Sequence, residues 1–229
     1  MILDDNTVST ILNATSIAKM FGIEQFIIEP HIIRGISDDR SAAIFTPCDI
    51  DIGCAAVGVN RIEILQNRLA LSNGNSIDCI SDGPLADASM LIIKSSKLNV
   101  EYRCAKIKGI TAPKELKVAD LYEISIDADL AGMINKGKSA MKAEELAIMC
   151  NDNRVSYKIY DDNNDKLVYD DSVAVNLTSD DDINFTYVYP IKSIIQAFTK
   201  CTDNKFYITN NGMLHIQVSN IDVYIPIKK

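Results

Sequence analysis

The chain has 229 residues, 47% hydrophobic and 24% charged, with a formal net charge of −8. That composition suits a globular chain folding as one large domain or two of roughly 110 residues; the acidic balance argues against nucleic-acid binding over the whole surface, and no apolar run is long enough to span a bilayer. Two histidines, His31 and His215, and six well-separated cysteines leave little for a metal site or a nucleophile–base pair, so no enzymatic activity, cofactor or metal is expected.

The amino terminus, MILDDNTVST, has neither the basic nor the apolar region of an export signal, and a cytoplasmic location is expected. Asp5-Asn6-Thr7 caps a first helix with Val8, Ile11, Leu12 and Ala18 toward a core, a polar side of Ser9, Asn13 and Ser16, and Gly22 as its stop. Strand-like runs follow at 25–28, 32–36, 42–45 and 50–57. A second helix starts near Asn60, with Ile62, Leu65 and Leu69 on one side and Arg61 and Arg68 seven residues apart on another. Further strands are expected at 76–80, 88–94 and 98–107, divided by turn residues. The segment 109–120, with Gly109, Pro113 and lysines among few large apolar residues, reads as a linker between domains at 1–108 and 121–229.

The second half repeats the pattern. A strand at 122–126 leads to a third helix capped by Asp127 or Asp129, with Leu130, Met133, Ile134, Gly137 and Met141 on one stripe and Asn135, Lys138 and Lys142 opposite. Strands at 146–150, 154–160, 166–169, 173–177 and 185–189 precede a fourth helix. There Pro190 suits the first helical position, Ile191, Ile194, Ile195 and Phe198 form an apolar face, and Lys192, Gln196 and Lys200 lie opposite. Strands at 206–209, 214–218 and 222–227 close the chain. Four units of helix plus antiparallel strands, paired across a linker, define an α+β protein of two similar domains.

Two features bear on function. The four helical windows hold Lys19, Arg61, Arg68, Lys136, Lys138, Lys142, Lys192 and Lys200 against the single acid Glu63, so the acidic excess lies outside them. Residues 132–139, GMINKGKS, match the phosphate loop G-x-x-x-x-G-K-[ST]. Against a nucleotide site, Met133, Ile134 and Gly137 keep helical register with Leu130 and Met141, and hairpins follow instead of the crossovers of a parallel sheet. His215 sits in the strand-like LHIQV as a packed or edge residue, and His31 beside Pro30 as a turn residue.

The ordered set AVGVNRIEILQNRL (56–69), EISIDADLAGMINKGKSAMKAEELAIMCNDNRVSYKIYD (123–161), FTYVYPIKSIIQAFTK (185–200) and the terminal DVYIPIKK resembles the sliding clamps of DNA replication, those of tailed phages in particular. The resemblance implies the DNA clamp fold of proliferating cell nuclear antigen, with helices on one face, three copies closing into a ring, and no catalysis. It implies a processivity factor that encircles double-stranded DNA without reading sequence, tethers a DNA polymerase, and is loaded by a clamp loader, in the cytoplasm of an infected host cell if phage-encoded. Arg61, Arg68, Lys138, Lys142, Lys192 and Lys200 would face DNA; Lys136 joins them, although it and Lys19 lie off the line by helical phase. A partner-peptide pocket would use Ile36, Leu116, Val118, Tyr224, Ile225 and Pro226. The subunit interface would pair the edges 98–104 and 166–169, through Leu98, Val100, Tyr102 and Cys104 on one and Leu167 and Tyr169 on the other. Two other readings are a nucleotide-binding protein using 132–139 and a non-catalytic phage structural protein.

Overall fold

A computed structural model of the chain describes all residues except 1, 4, 72–75, 96, 115, 161–165, 180, 201–204, 219 and 229, and the side chains of 2, 3, 171, 172 and 200. The chain divides into two compact units, Met1–Glu115 and Leu116–Lys229.

The first unit runs β1 (Ile2–Leu3), α1 (Asp5–Met20), β2 (Phe26–Glu29), β3 (Ile32–Ile36), β4 (Ala43–Pro47), β5 (Val57–Val59), α2 (Ile62–Ala70), β6 (Ile77–Ser81), β7 (Ala88–Lys94) and β8 (Asn99–Arg103). The second runs β9 (Asp120–Ile124), α3 (Ala128–Met141), β10 (Glu145–Asn151), β11 (Arg154–Tyr160), β12 (Lys166–Asn176), β13 (Phe185–Pro190), α4 (Ile191–Lys200), β14 (Phe206–Thr209), β15 (Leu214–Val218) and β16 (Ile221–Ile225). Each unit is thus strand, helix and three strands, twice over. The antiparallel sheet orders also correspond: β1-β6-β7-β8 and β5-β2-β3-β4 in the first, β9-β14-β15-β16 and β13-β10-β11-β12 in the second. In both, the opening strand of each half pairs with the strands of the other half, which ties the halves into one domain.

Local chemistry explains the helices. Gly22, at φ +68°, ends α1: its N–H donates to the Lys19 carbonyl and that of Ile23 to the Ala18 carbonyl, satisfying two terminal acceptors. The Asp127 carboxylate accepts from the Leu130 N–H at 2.7 Å and opens α3. On α4 the residues Ile191, Ile194, Ile195 and Phe198 are all buried, and Phe198 meets Tyr157 and Phe206 edge-on at 6.1 and 5.2 Å. Each such side chain contributes about 1.5–3 kcal/mol by leaving water. The helices α1 and α2 pack together in the first unit, and α3 and α4 in the second.

Several sequence expectations need correction. Residues 50–56 are not a strand: the Asp51 carboxylate accepts from the Gly53 N–H and Gly53 takes φ +64°, a turn that leaves only β5 paired. Pro190 ends β13, opposite Glu145, and does not start α4. Met133 is 40% exposed, because α3 buries Leu130, Ala131, Ile134 and Gly137 instead. The expected strand 98–107 stops at Arg103 and gives way to a 3-10 turn at Ile107–Gly109. The expected linker is anchored at its start, where Ile110 is buried in a cluster with Ile27 and Ala56. Residues 166–177, expected as two strands, form the one strand β12 through Asn176.

Candidate nucleic-acid and subunit surfaces

The phosphate-loop reading fails on geometry. Residues 132–139 lie wholly within α3, so their amide groups run along the helix axis and form no cradle. Gly137 has a packing reason: a Cβ there would meet the Tyr169 hydroxyl at 2.7 Å and Ile159 Cδ1 at 3.0 Å, where α3 lies on β11 and β12. The Tyr169 hydroxyl donates to the Met133 carbonyl at 3.1 Å. Thiol chemistry is equally unsupported. Burial pushes the Cys79 and Cys104 thiols up to about 12, and the Cys54 and Cys79 sulfurs lie 3.3 Å apart as neutral thiols. Among the described residues no cluster of three or more metal-ligating side chains occurs, and no helix is long and apolar enough to cross a membrane.

The helix cations fall into two groups. In the second unit Lys136 and Lys142 are exposed on α3, Lys138 is half-buried and Lys192 is exposed on α4. None of these four is in an ion pair among the described residues. Lys142 is also the C-cap of α3, at φ +51°. The Lys200 side chain lies outside the described ones. In the first unit every helix cation is engaged. Lys19 pairs with Glu63 at 2.8 Å, joining α1 to α2. Arg61 Nη2 donates to the Arg103 carbonyl at 3.3 Å, and Arg68 Nη1 donates to the Glu101 carbonyl. Both guanidinium groups sit over the Tyr102 ring, at 5.4 and 5.8 Å from its centroid.

The two segments expected at a subunit interface both present an open strand edge. Among the described residues β8 pairs with β7 alone; β12 pairs with β11 from Lys166 to Val173, and β9 takes its other edge at Ala174–Asn176. Leu98 is exposed, Val100, Cys104, Leu167 and Tyr169 are half-buried, and Tyr102 is fully buried in its own unit. Tyr102 therefore offers the edge no side chain, and its own backbone groups face β7, leaving those of Glu101 and Arg103 on the open side. Of the expected peptide-pocket residues, Ile36 in the first unit and Leu116, Val118, Tyr224 and Pro226 in the second are half-buried. Ile225 is a core residue at 0% exposure, because it occupies an inward position of β16, and it is not offered to a ligand.

One cluster escaped sequence reasoning. His215 on β15 lies between Asp120 of β9, at 2.9 Å, and Asp222 of β16, at 3.2 Å, with the Tyr224 ring stacked on it at 4.5 Å. Burial alone would lower its pKa, but the hydrogen bonds to Asp222 and Asp120 and their charges outweigh burial and raise it above 6.5. Asp120 is 95 residues from His215 in sequence, so no local pattern announces the triad.

The duplicated strand–helix–three-strand units define a sliding-clamp fold. The chain superimposes on a putative DNA polymerase III beta subunit from Eubacterium rectale with a TM-score of 0.70 at 13% identity, covering 100% of this chain but only 65% of that longer one. It superimposes on proliferating cellular nuclear antigen from Entamoeba histolytica with a TM-score of 0.60 at 14% identity, covering 97% and 96% of the two chains. A third match is the A. fulgidus PCNA bound to the C-terminal region of FEN-1, with a TM-score of 0.61 at 12% identity, covering 100% and 99%. No family model and no curated sequence matches the chain.

Proposed function

We propose that the protein is a sliding clamp: a ring of three copies that encircles double-stranded DNA and tethers a replicative polymerase. The observation that carries this reading is the end-to-end correspondence with the two PCNA chains, 97–100% of this chain against 96–99% of theirs. A chain of the same extent and fold can close a ring from the same number of copies. Lys136, Lys138, Lys142, Lys192 and Lys200 supply phosphate contacts that position without reading bases, and the acidic remainder disfavours DNA elsewhere. Topological confinement keeps a bound polymerase at high effective concentration near its template, and no bond is made or broken by the clamp.

The edges of β8 and β12 form the junction between copies. In the second unit the half-buried Tyr224 and Pro226, with Leu116 and Val118 from the segment before β9, form the surface that takes polymerase and loader peptides; the FEN-1 region on the A. fulgidus protein is a precedent in kind. The domains are 1–108 and 121–229 with 109–120 between them, and the ring works in the cytoplasm. Sedimentation equilibrium tests the assembly: the expected mass is three times the chain mass of 25.3 kDa, and a mass of one chain throughout the micromolar range contradicts it.

A further inference from the structure

In the pairing of β8 with β7, Arg103 lies opposite Met90 and Tyr102 opposite Leu91, and the Cys104 N–H donates to the Ser89 carbonyl. In an antiparallel ladder, alternate residues turn their backbone groups toward the partner strand and the others turn them away. Cys104 and Tyr102 therefore face β7, while the N–H and C=O groups of Arg103 and Glu101 point to the open edge. These two carbonyls are the ones that Arg61 and Arg68 hold. Arg61, the N-cap of α2, and Arg68, in its last turn, reach two alternate residues of the strand and both lie over the buried ring of Tyr102. Where an unprotected edge would accept any strand, this one carries two guanidinium caps, a charged form of edge protection.

We propose that Arg61 and Arg68 form an anion-released lock on the β8 edge: they cap it in the free chain, and they let go to phosphate when β8 takes the β12 edge of a second copy. This rests on the clamp reading for the identity of the partner strand. A second copy's N–H groups need the Glu101 and Arg103 carbonyls, so a seated strand and the two caps compete for the same acceptors. A guanidinium that leaves a carbonyl for a phosphate oxygen exchanges a neutral acceptor for a charged one and makes a stronger bond. Anion binding and assembly are then linked, each favouring the other by the same factor. The lock keeps the edge from pairing with unrelated strands and opens it where a polyanion is present.

The test is sedimentation velocity of the full chain over a concentration series, with and without tripolyphosphate, which is too small to be encircled. In the wild type, tripolyphosphate is expected to lower the half-assembly concentration about tenfold, within the ordinary range of coupling between sites. The double variant Arg61→Met with Arg68→Met keeps unbranched stems over Tyr102 but has no donors. It is expected to assemble at about tenfold lower concentration without the anion and to respond no further to it. Should the variant not fold, the wild-type response alone decides, and its absence overturns the lock. Oligomers whose midpoints are the same in both proteins overturn the lock and leave the clamp reading standing. A chain that stays monomeric in every arm overturns both.

Discussion

The two helix pairs share a scaffold and use their positive charge in opposite ways. On α1 and α2 each cation has a partner within its own unit: Lys19 holds Glu63, and Arg61 and Arg68 hold the outer carbonyls of β8. On α3 and α4, Lys136, Lys138, Lys142 and Lys192 have no ion-pair partner among the described residues. Counting basic residues on helices therefore overstates what the first unit offers a polyanion. A cation already satisfied by carboxylate or carbonyl gains less from phosphate than one held only by water, because it must first give up a bond.

The largest expected effect sets one pair directly against the other. Replacing Lys136, Lys138, Lys142 and Lys192 together by Ala is expected to lower affinity for a short duplex about a hundredfold at low salt and to flatten the salt dependence by about 0.9 per lost contact. For the unassembled chain, in which both arginines still cap β8, the set Lys19→Ala, Arg61→Met and Arg68→Met is expected to change it by less than about threefold. Fluorescence anisotropy across a salt series measures both, and equal losses would break the comparison.

Next in size is a pair of glycines. Gly58 of β5 lies against the Ala105 carbonyl oxygen, so Gly58→Ala is expected to cost about 1–3 kcal/mol or more through displaced backbone. A Cβ added to Gly132 on α3 would meet nothing within 4 Å, and Gly132→Ala is expected to stabilise by up to about 1 kcal/mol through helix propensity. Urea unfolding of the two variants gives opposite signs if the first unit is as tightly closed at this strand as its geometry indicates.

The His215 triad gives the second unit a pH signature that the first lacks among its described residues. Its folded pKa is raised, so its stabilising contribution is fully present below about 6.5, the unfolded value, and is lost as pH rises through the raised folded value. Thermal melts of wild type and His215→Phe should differ most near about pH 6 and converge at higher pH. A gap that widens with pH would contradict the assignment. The smallest effect concerns Glu63, whose carboxyl is held below its usual range by the hydrogen bond from Lys19. Glu63→Gln is expected to leave the melting temperature unchanged, since exposed pairs contribute little, while raising duplex affinity by less than about twofold. No gain would mean that Lys19 points away from the DNA path.

Legibility in the sequence follows the range of the interaction. The α4 face of Ile191, Ile194, Ile195 and Phe198, the Gly22 stop and the Asp127 cap are readable because each is settled within a turn or two of chain. The fourfold helix-and-strand repeat is readable from the same local periods. The turn at 51–53 reads as strand because the apolar residues around it are buried without forming a continuous ladder, and in sequence burial imitates pairing. Ile110 reads as linker because a single apolar residue carries no period. The arginine caps and the His215–Asp120 contact are invisible for a different reason: these partners lie 33 to 95 residues away, and only the strand order brings them together.

The central claim, that copies of this chain enclose DNA, is tested most directly by order of addition on a linear duplex with biotin at both ends. Protein incubated with the duplex before streptavidin blocks the ends, then washed at about 0.5 M salt to remove electrostatic binding, is expected to stay on the DNA. Protein added after the ends are blocked is expected to wash off. The same retention in both orders, or loss in both, would contradict encirclement.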